Sequence, residues 1–174
     1  MKGSESCSVV VLAGLPGAGK TTIADQLRER HGYTVLSRDA VKRALFGFDD
    51  VGEQQNAIAF DAMLRALPVL VRLHRNVVVD GMPFDKEGQS ERVTEVLGPE
   101  HLTFVFVDTP LEVAKARLSV PDPSGPADRG PELVTRIAQG FRLIPVNWRR
   151  INGVAEPSAN ADTIASAART GAHS

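Results

Sequence analysis

The segment Val9 to Thr21, VVVLAGLPGAGKT, constrains the chain most: five apolar residues in a row, a glycine-rich turn, then a lysine and a threonine. A continuous run of β-branched and small apolar residues, with polar sequence before it and glycine after it, predicts a strand over Val9–Ala13 buried on both faces. Gly14, Gly19, Lys20 and Thr21 meet the spacing GxxxxGK[ST] in the strand, loop, helix context that its chemistry demands. Glycines let the backbone wrap closely around phosphate oxygens, so that its amides and a helix N-terminus face the negative charge. In such a loop Lys20 supplies a point charge for the β and γ phosphates, and the Thr21 hydroxyl holds Mg²⁺. Gly14, Leu15, Pro16, Gly17, Ala18, Gly19, Lys20, Thr21 and Thr22 are therefore the candidate nucleotide-binding residues. The plainer alternative is a glycine-rich turn that binds nothing.

Further apolar runs at Tyr33–Leu36, Val77–Val79, Leu102–Val107 and, more weakly, Arg149–Val154 alternate with helical patterns, which predicts a parallel sheet with helices on both faces. Helices are expected over Thr21–Arg30 and from a cap at Asp39 with Val41, Ala44 and Leu45 inward. A long amphipathic helix over Gln54–Arg75 carries Ile58, Met63, Leu67, Leu70 and Leu73, with a kink at Pro68. Glu91–Leu97, Leu111–Leu118 and a surface helix over Ala159–Arg169 complete the set. Ser119 to Pro131, rich in proline, predicts a mobile loop, and Thr170–Ser174 a frayed end.

Two aspartates end strands where open α/β sheets bind ligands. Asp80 closes the run NVVVD and is a candidate metal support and substrate contact; its alternative is a turn or helix cap. Asp39, in Leu36–Arg43 (LSRDAVKR), is a candidate general base for a substrate hydroxyl, or else an N-cap. Lys42, one turn on, would hold an anionic substrate group, with Arg43 as its alternative, or would be a solvated charge. Arg117, Arg129, Arg136 and Arg142 gather around the proline-rich loop, and Arg117 and Arg129 are the candidates to close over a triphosphate as a lid. Trp148 is either a base-stacking residue or a core or surface anchor.

Composition sets outer bounds. The 174 residues, 43% of them hydrophobic, make one core of ordinary size, so residues 1–174 are expected to be one domain. Lys plus Arg (20) balances Asp plus Glu (21), so no overall field draws the chain to nucleic acid or an anionic membrane. The one cysteine, Cys7, excludes an internal disulfide and a cysteine metal cage, and is expected to be a bystander. His31, His74, His101 and His173 have no metal-ligand spacing. No run reaches the ~20 apolar residues of a membrane span, which makes a cytoplasmic protein the default expectation. NKxD, the guanine-reading sequence, does not occur. Asp80–Asp85, DGMPFD, is similar to the DGFPR segment of adenylate kinases, with Phe84 in place of their monophosphate-holding arginine.

Together GLPGAGKTT, LSRDAVKR and VVVDG, across roughly residues 8–155, resemble the small P-loop kinases that phosphorylate a hydroxyl. That group includes adenylylsulfate kinase, chloramphenicol phosphotransferase, zeta-toxin-type sugar nucleotide kinases and polynucleotide 5′-kinase domains. In two of these an aspartate ending the second strand acts as base, and a basic residue one turn later contacts the substrate anion; Asp39 and Lys42 match those positions. The resemblance implies an α/β three-layer fold, a five-stranded parallel sheet of order 2-3-1-4-5, Mg·ATP as donor, and a lid at about 117–142. The resulting expectation is a kinase, monomeric or homodimeric, acting on a hydroxyl of a metabolite, natural product or nucleoside-like compound. A polynucleotide 5′-hydroxyl kinase is one alternative, disfavoured by the neutral charge. A nucleotide-binding regulator or resistance protein with weak ATPase activity is the other.

Overall fold

Val9–Ala13 forms strand β1, and all five of its residues are buried. The computed structural model describes residues 7–47, 52–73, 75–120, 130–141 and 144–171. Among them, β1 is followed by α1 (Lys20–His31), β2 (Thr34–Ser37), α2 (Arg38–Phe46), α3 (Glu53–Arg72), β3 (Val77–Asp80) and α4 (Gln89–Leu97). Next come β4 (Leu102–Asp108), α5 (Leu111–Leu118), α6 (Pro131–Gly140), β5 (Arg149–Asn152) and α7 (Pro157–Gly171). The strands form one parallel sheet of order β2-β3-β1-β4-β5, as expected.

Because side chains alternate along a strand, β1 feeds two cores at once. Val10 and Leu12 pack with Ile23, Ala24 and Leu27 of α1 and with Ala161, Ile164 and Ala165 of α7. Val9, Val11 and Ala13 pack with Phe60, Met63 and Leu67 of α3 and with Val93 of α4. Crossovers of one hand place the helices on both faces, and the loops after β1, β2 and β3 meet at one edge of the sheet.

Several helices differ from the periodicity reading. In α2, Ser37 is the N-cap, its Oγ accepting from the Ala40 amide at 3.4 Å, and Asp39 sits in the first turn. Only Val41 of the expected inward set is half-buried; Ala44 and Leu45 are exposed, and Lys42 is the buried residue of the helix. The helix is turned so that its inward face meets a polar cleft instead of a core. In α3, Met63 and Leu67 are buried but Ile58 is exposed; the helix continues through Pro68 and ends before Leu73, which is exposed. Helix α6 is an addition, with Pro131 in its first turn and Val134, Ile137 and Ala138 at helical spacing against the core. Helix α7 is no mere surface helix, since Ala161, Ile164, Ala165 and Ala168 are buried. Trp148 is a core residue, stacked on Phe104 with ring centroids 5.1 Å apart and planes 8° from parallel. Cys7 is buried just before β1.

Outside the core, α7 is pinned to the end of α1. Arg30 donates to both carboxylate oxygens of Asp162, at 3.1 and 2.8 Å, and His31 Nε2 lies 2.8 Å from Asp162 Oδ1. The Arg30 hydrogen bond, and next that of His31, holds the Asp162 carboxyl below its ordinary range. A depressed carboxyl contributes stability that is present above the unfolded value and lost as pH falls through the folded one. Asp162→Asn is expected to lower the thermal unfolding midpoint near neutral pH. The gap from the parent should close as pH drops below the ordinary carboxylate range; a gap that stays constant would refute the linkage.

Candidate active site

The C-terminal ends of β1, β2 and β3 open into a cleft of about 1140 Å³. Its floor is the loop between β1 and α1. Residues Pro16 to Thr22 line the cleft, whereas Gly14 and Leu15 lie behind it. Gly17 adopts φ +77, and a methyl group there would stand 2.5 Å from the Ala114 carbonyl oxygen, so the loop lies directly on α5. The first amides of α1 have no partner within the helix and point toward the cleft end of the axis, where the helix dipole is positive. Lys20 is buried, its Nζ donating to the carbonyls of Gly14 and Leu15 at 2.8 Å each.

Thr21 links this floor to β3. Its Oγ1 donates to Asp80 Oδ2 at 2.9 Å, while Asp80 Oδ1 is buried with no hydrogen-bond partner among the described residues. A buried carboxylate oxygen left open beside a hydroxyl is an incomplete set of hard oxygen donors, which fits Mg²⁺. Among the described residues no group of three His, Cys, Asp or Glu could hold a metal by itself, so further ligands would come from phosphate oxygens and water.

Next to Asp80, Gly81 has φ +88, and a Cβ on it would come within 3.1 Å of the amides of Arg38 and Asp39. This close approach brings the first turn of α2 against the end of β3. Asp39 lines the cleft and pairs with Arg38, Nη2 to Oδ1 at 3.2 Å. Lys42 also lines it, buried and donating to Asn56 Oδ1 of α3 at 3.1 Å. Arg43 points elsewhere: it is exposed and absent from the cleft wall. Arg117 and Arg136 line the opposite side, but the Arg117 guanidinium donates to the carbonyls of Gly17, at 3.1 Å, and Gly153, at 3.2 and 3.3 Å. Arg117 therefore joins the loop to the turn after β5. Arg129 and Arg142 lie outside the described residues, as do His74 and His173.

A second hollow of about 450 Å³ shares Gly19, Thr22 and Arg117 with the cleft and continues over Gly153 to Pro157 and Asn160. Nothing in the spacing of Gly153 to Pro157 marked it beforehand. Cleft residues that the sequence did not single out include Arg38, Asn56, Phe60 and Asp85. Phe60 and Asn56 continue the stripe of α3 (Met63, Leu64, Leu67) back by one and two turns, so a polar residue on an apolar face was the available signal. Arg38 was visible only as the neighbour of Asp39. Asp85 closes the DGMPFD segment; burial pushes its carboxyl above the ordinary range, partly opposed by Lys86, Arg38 and Lys20.

A family described as AAA domain matches residues 9–129, from β1 through α5. The chain belongs to this AAA domain family. No curated protein matches its sequence. Among solved structures, it is similar to a sugar kinase from Janibacter sp., 18% identical with a TM-score of 0.70, covering 92% of this chain and 93% of that one. The adenylylsulfate (APS) kinase of Mycobacterium tuberculosis, in complex with AMPPNP and APS, is 19% identical with a TM-score of 0.69 over 92% and 96% of the two chains. A shikimate kinase from Acinetobacter baumannii, in complex with shikimate, is 19% identical with a TM-score of 0.68 over 98% and 97%. The AAA domain chain thus has a P-loop kinase-like fold over its whole described length. No helix among its described residues is long and apolar enough to cross a membrane.

The contact of the loop with α5 is testable. Gly17→Ala puts a side chain into a left-handed conformation and against a carbonyl, at an expected cost of about 2 kcal/mol. Urea unfolding should show a correspondingly lower midpoint; an unchanged midpoint would contradict the packing described.

Proposed function

We propose that this AAA domain protein is an ATP-dependent kinase that transfers the γ-phosphate to a hydroxyl of a small molecule. The observation that carries the reading is the meeting, in one cleft, of the glycine-rich loop and Asp39, which stands in the first turn of α2 behind the Ser37 N-cap. The loop amides and Lys20 bind the phosphates, Lys20 exchanging its two carbonyl partners for phosphate oxygens. The nucleoside lies in the hollow beside Arg117 and the turn after β5. Asp80 and Thr21 are the residues that would hold Mg²⁺, which when bound neutralises charge on the phosphates.

Asp39 accepts the proton of the acceptor hydroxyl as that oxygen bonds to the γ-phosphorus and the bond from phosphorus to the bridging β-γ oxygen breaks, releasing ADP. Arg38 fixes the direction of the carboxylate through their ion pair. Lys42, held by Asn56, supplies a positive donor for an acceptor oxygen one helical turn from Asp39. Arg136 brings positive charge from α6, and Arg117 keeps the loop in its phosphate-binding shape. The similar solved structures that bear kinase names support the same reading of the fold.

Asp39→Asn should leave the KM for ATP nearly intact and lower kcat by roughly 100-fold or more, the scale of a lost general base. The acceptor is found by mass spectrometry, as the gain of one phosphoryl group across a library of hydroxylated compounds. Unchanged turnover in the Asn variant would remove Asp39 from the mechanism.

A further inference from the structure

Among the described residues, Phe84 is the one non-glycine with positive φ, at +59. A bulky residue holds that conformation only where its surroundings over-determine it, and such strain gathers at functional sites. Its ring is buried edge-on against Phe60, Phe104 and Trp148, with centroids 6.3 to 6.4 Å away. The preceding Pro83 carbonyl accepts from the Gly14 amide at 3.0 Å, so the segment is anchored to the phosphate loop itself. The turn at Phe84 carries the next residue, Asp85, to the cleft wall. Its Oδ2 lies 3.0 Å from where a Cβ on Gly140 would stand, so glycine at the end of α6 leaves it room.

Two other carboxylates of the cleft have roles in the reading above: Asp39 pairs with Arg38, and Asp80 accepts from Thr21 with one oxygen and keeps the other for Mg²⁺. Asp85 is half-buried, and among the described residues its carboxylate meets its own backbone amide and no side-chain donor. The cations that act on it have partners of their own: Lys86 has Glu53, Arg38 has Asp39 and Lys20 has the carbonyls of Gly14 and Leu15, while Glu91 and Glu95 add negative charge to the cleft lining. A half-buried acceptor of hydrogen bonds on a strained, rigidly held turn is completed by a donor from outside. We propose that Asp85 is an acceptor-binding residue that takes a hydrogen bond from a second donor group on the substrate, so that the substrate is a polyol or an amino alcohol. This rests on the kinase reading above.

The test uses the full chain with Mg·ATP and a panel of glucose, glucosamine, inositol, small amino alcohols and carboxylates such as gluconate, read by mass spectrometry. For the best substrate, Asp85→Ala should raise its KM about 10- to 100-fold, the scale of a lost hydrogen bond to a charged group, with the KM for ATP and the melting temperature unmoved. Asp85→Asn should stay within about 3-fold of the parent when the donor is a hydroxyl, because an amide still accepts, and should match Ala when it is an ammonium. An analogue lacking the second donor should bind the parent as weakly as the full substrate binds the Ala variant, and should lose nothing further there. An unchanged substrate KM, a loss confined to kcat, or equal use of compounds with a carboxylate in place of the second donor would overturn the proposal. If the Ala variant does not fold, the Asn variant and the analogue comparison decide. Transfer to no compound of the panel or of the wider library would instead overturn the kinase reading beneath it.

Discussion

The hydrogen bond from Thr21 to Asp80 organises the site. A carboxylate buried at the end of β3 is costly unless its charge is compensated. One oxygen is satisfied from the first turn of α1, and the other is buried without a partner among the described residues. The bond fixes α1 to β3, and therefore fixes the loop that precedes α1. On the far side of the same strand end, the close contact at Gly81 brings α2 into place with Asp39 on it. Asp80 thus joins the phosphate-loop side of the cleft to the α2 side.

Around that centre the cleft satisfies its own charges. Lys20 is folded onto carbonyls, Arg38 onto Asp39, Arg117 onto Gly17 and Gly153. The carbonyl partners of Lys20 and Arg117 are weaker than a phosphate would be in a closed, water-poor site. The groups are held near their working positions by bonds that a stronger ligand can replace, which limits the reorganisation that binding requires.

Local signals read well where one force dominates. The run VVVLA is buried on both faces and has no reading but a central strand, and the loop after it carries chemistry in its spacing. The resemblance of LSRDAVKR and VVVDG to small P-loop kinases then supplied the strand order. Periodicity failed where a helix faces a polar space: Val41, Ala44 and Leu45 are spaced as a core face, yet α2 turns Lys42 inward because its neighbour is the cleft. It also failed at PELVTRIAQG, where proline at the start looked like a continuation of the preceding proline-rich segment although it opens α6. Asp85 was beyond reach because its place depends on a left-handed turn at Phe84, and that turn depends on Phe60, Phe104 and Trp148, residues far away in the chain.

The double burial of β1 has a consequence for how such a chain can vary. Successive residues of Val9–Ala13 serve opposite cores, so exchanges among valine, isoleucine and leucine alter one core and leave the other untouched. Inserting or deleting one residue would send every side chain of the strand to the wrong face and displace the loop at its end by the same step. A change of side-chain shape in this strand is therefore a local cost within one core, whereas a change of length disturbs both cores and the loop together.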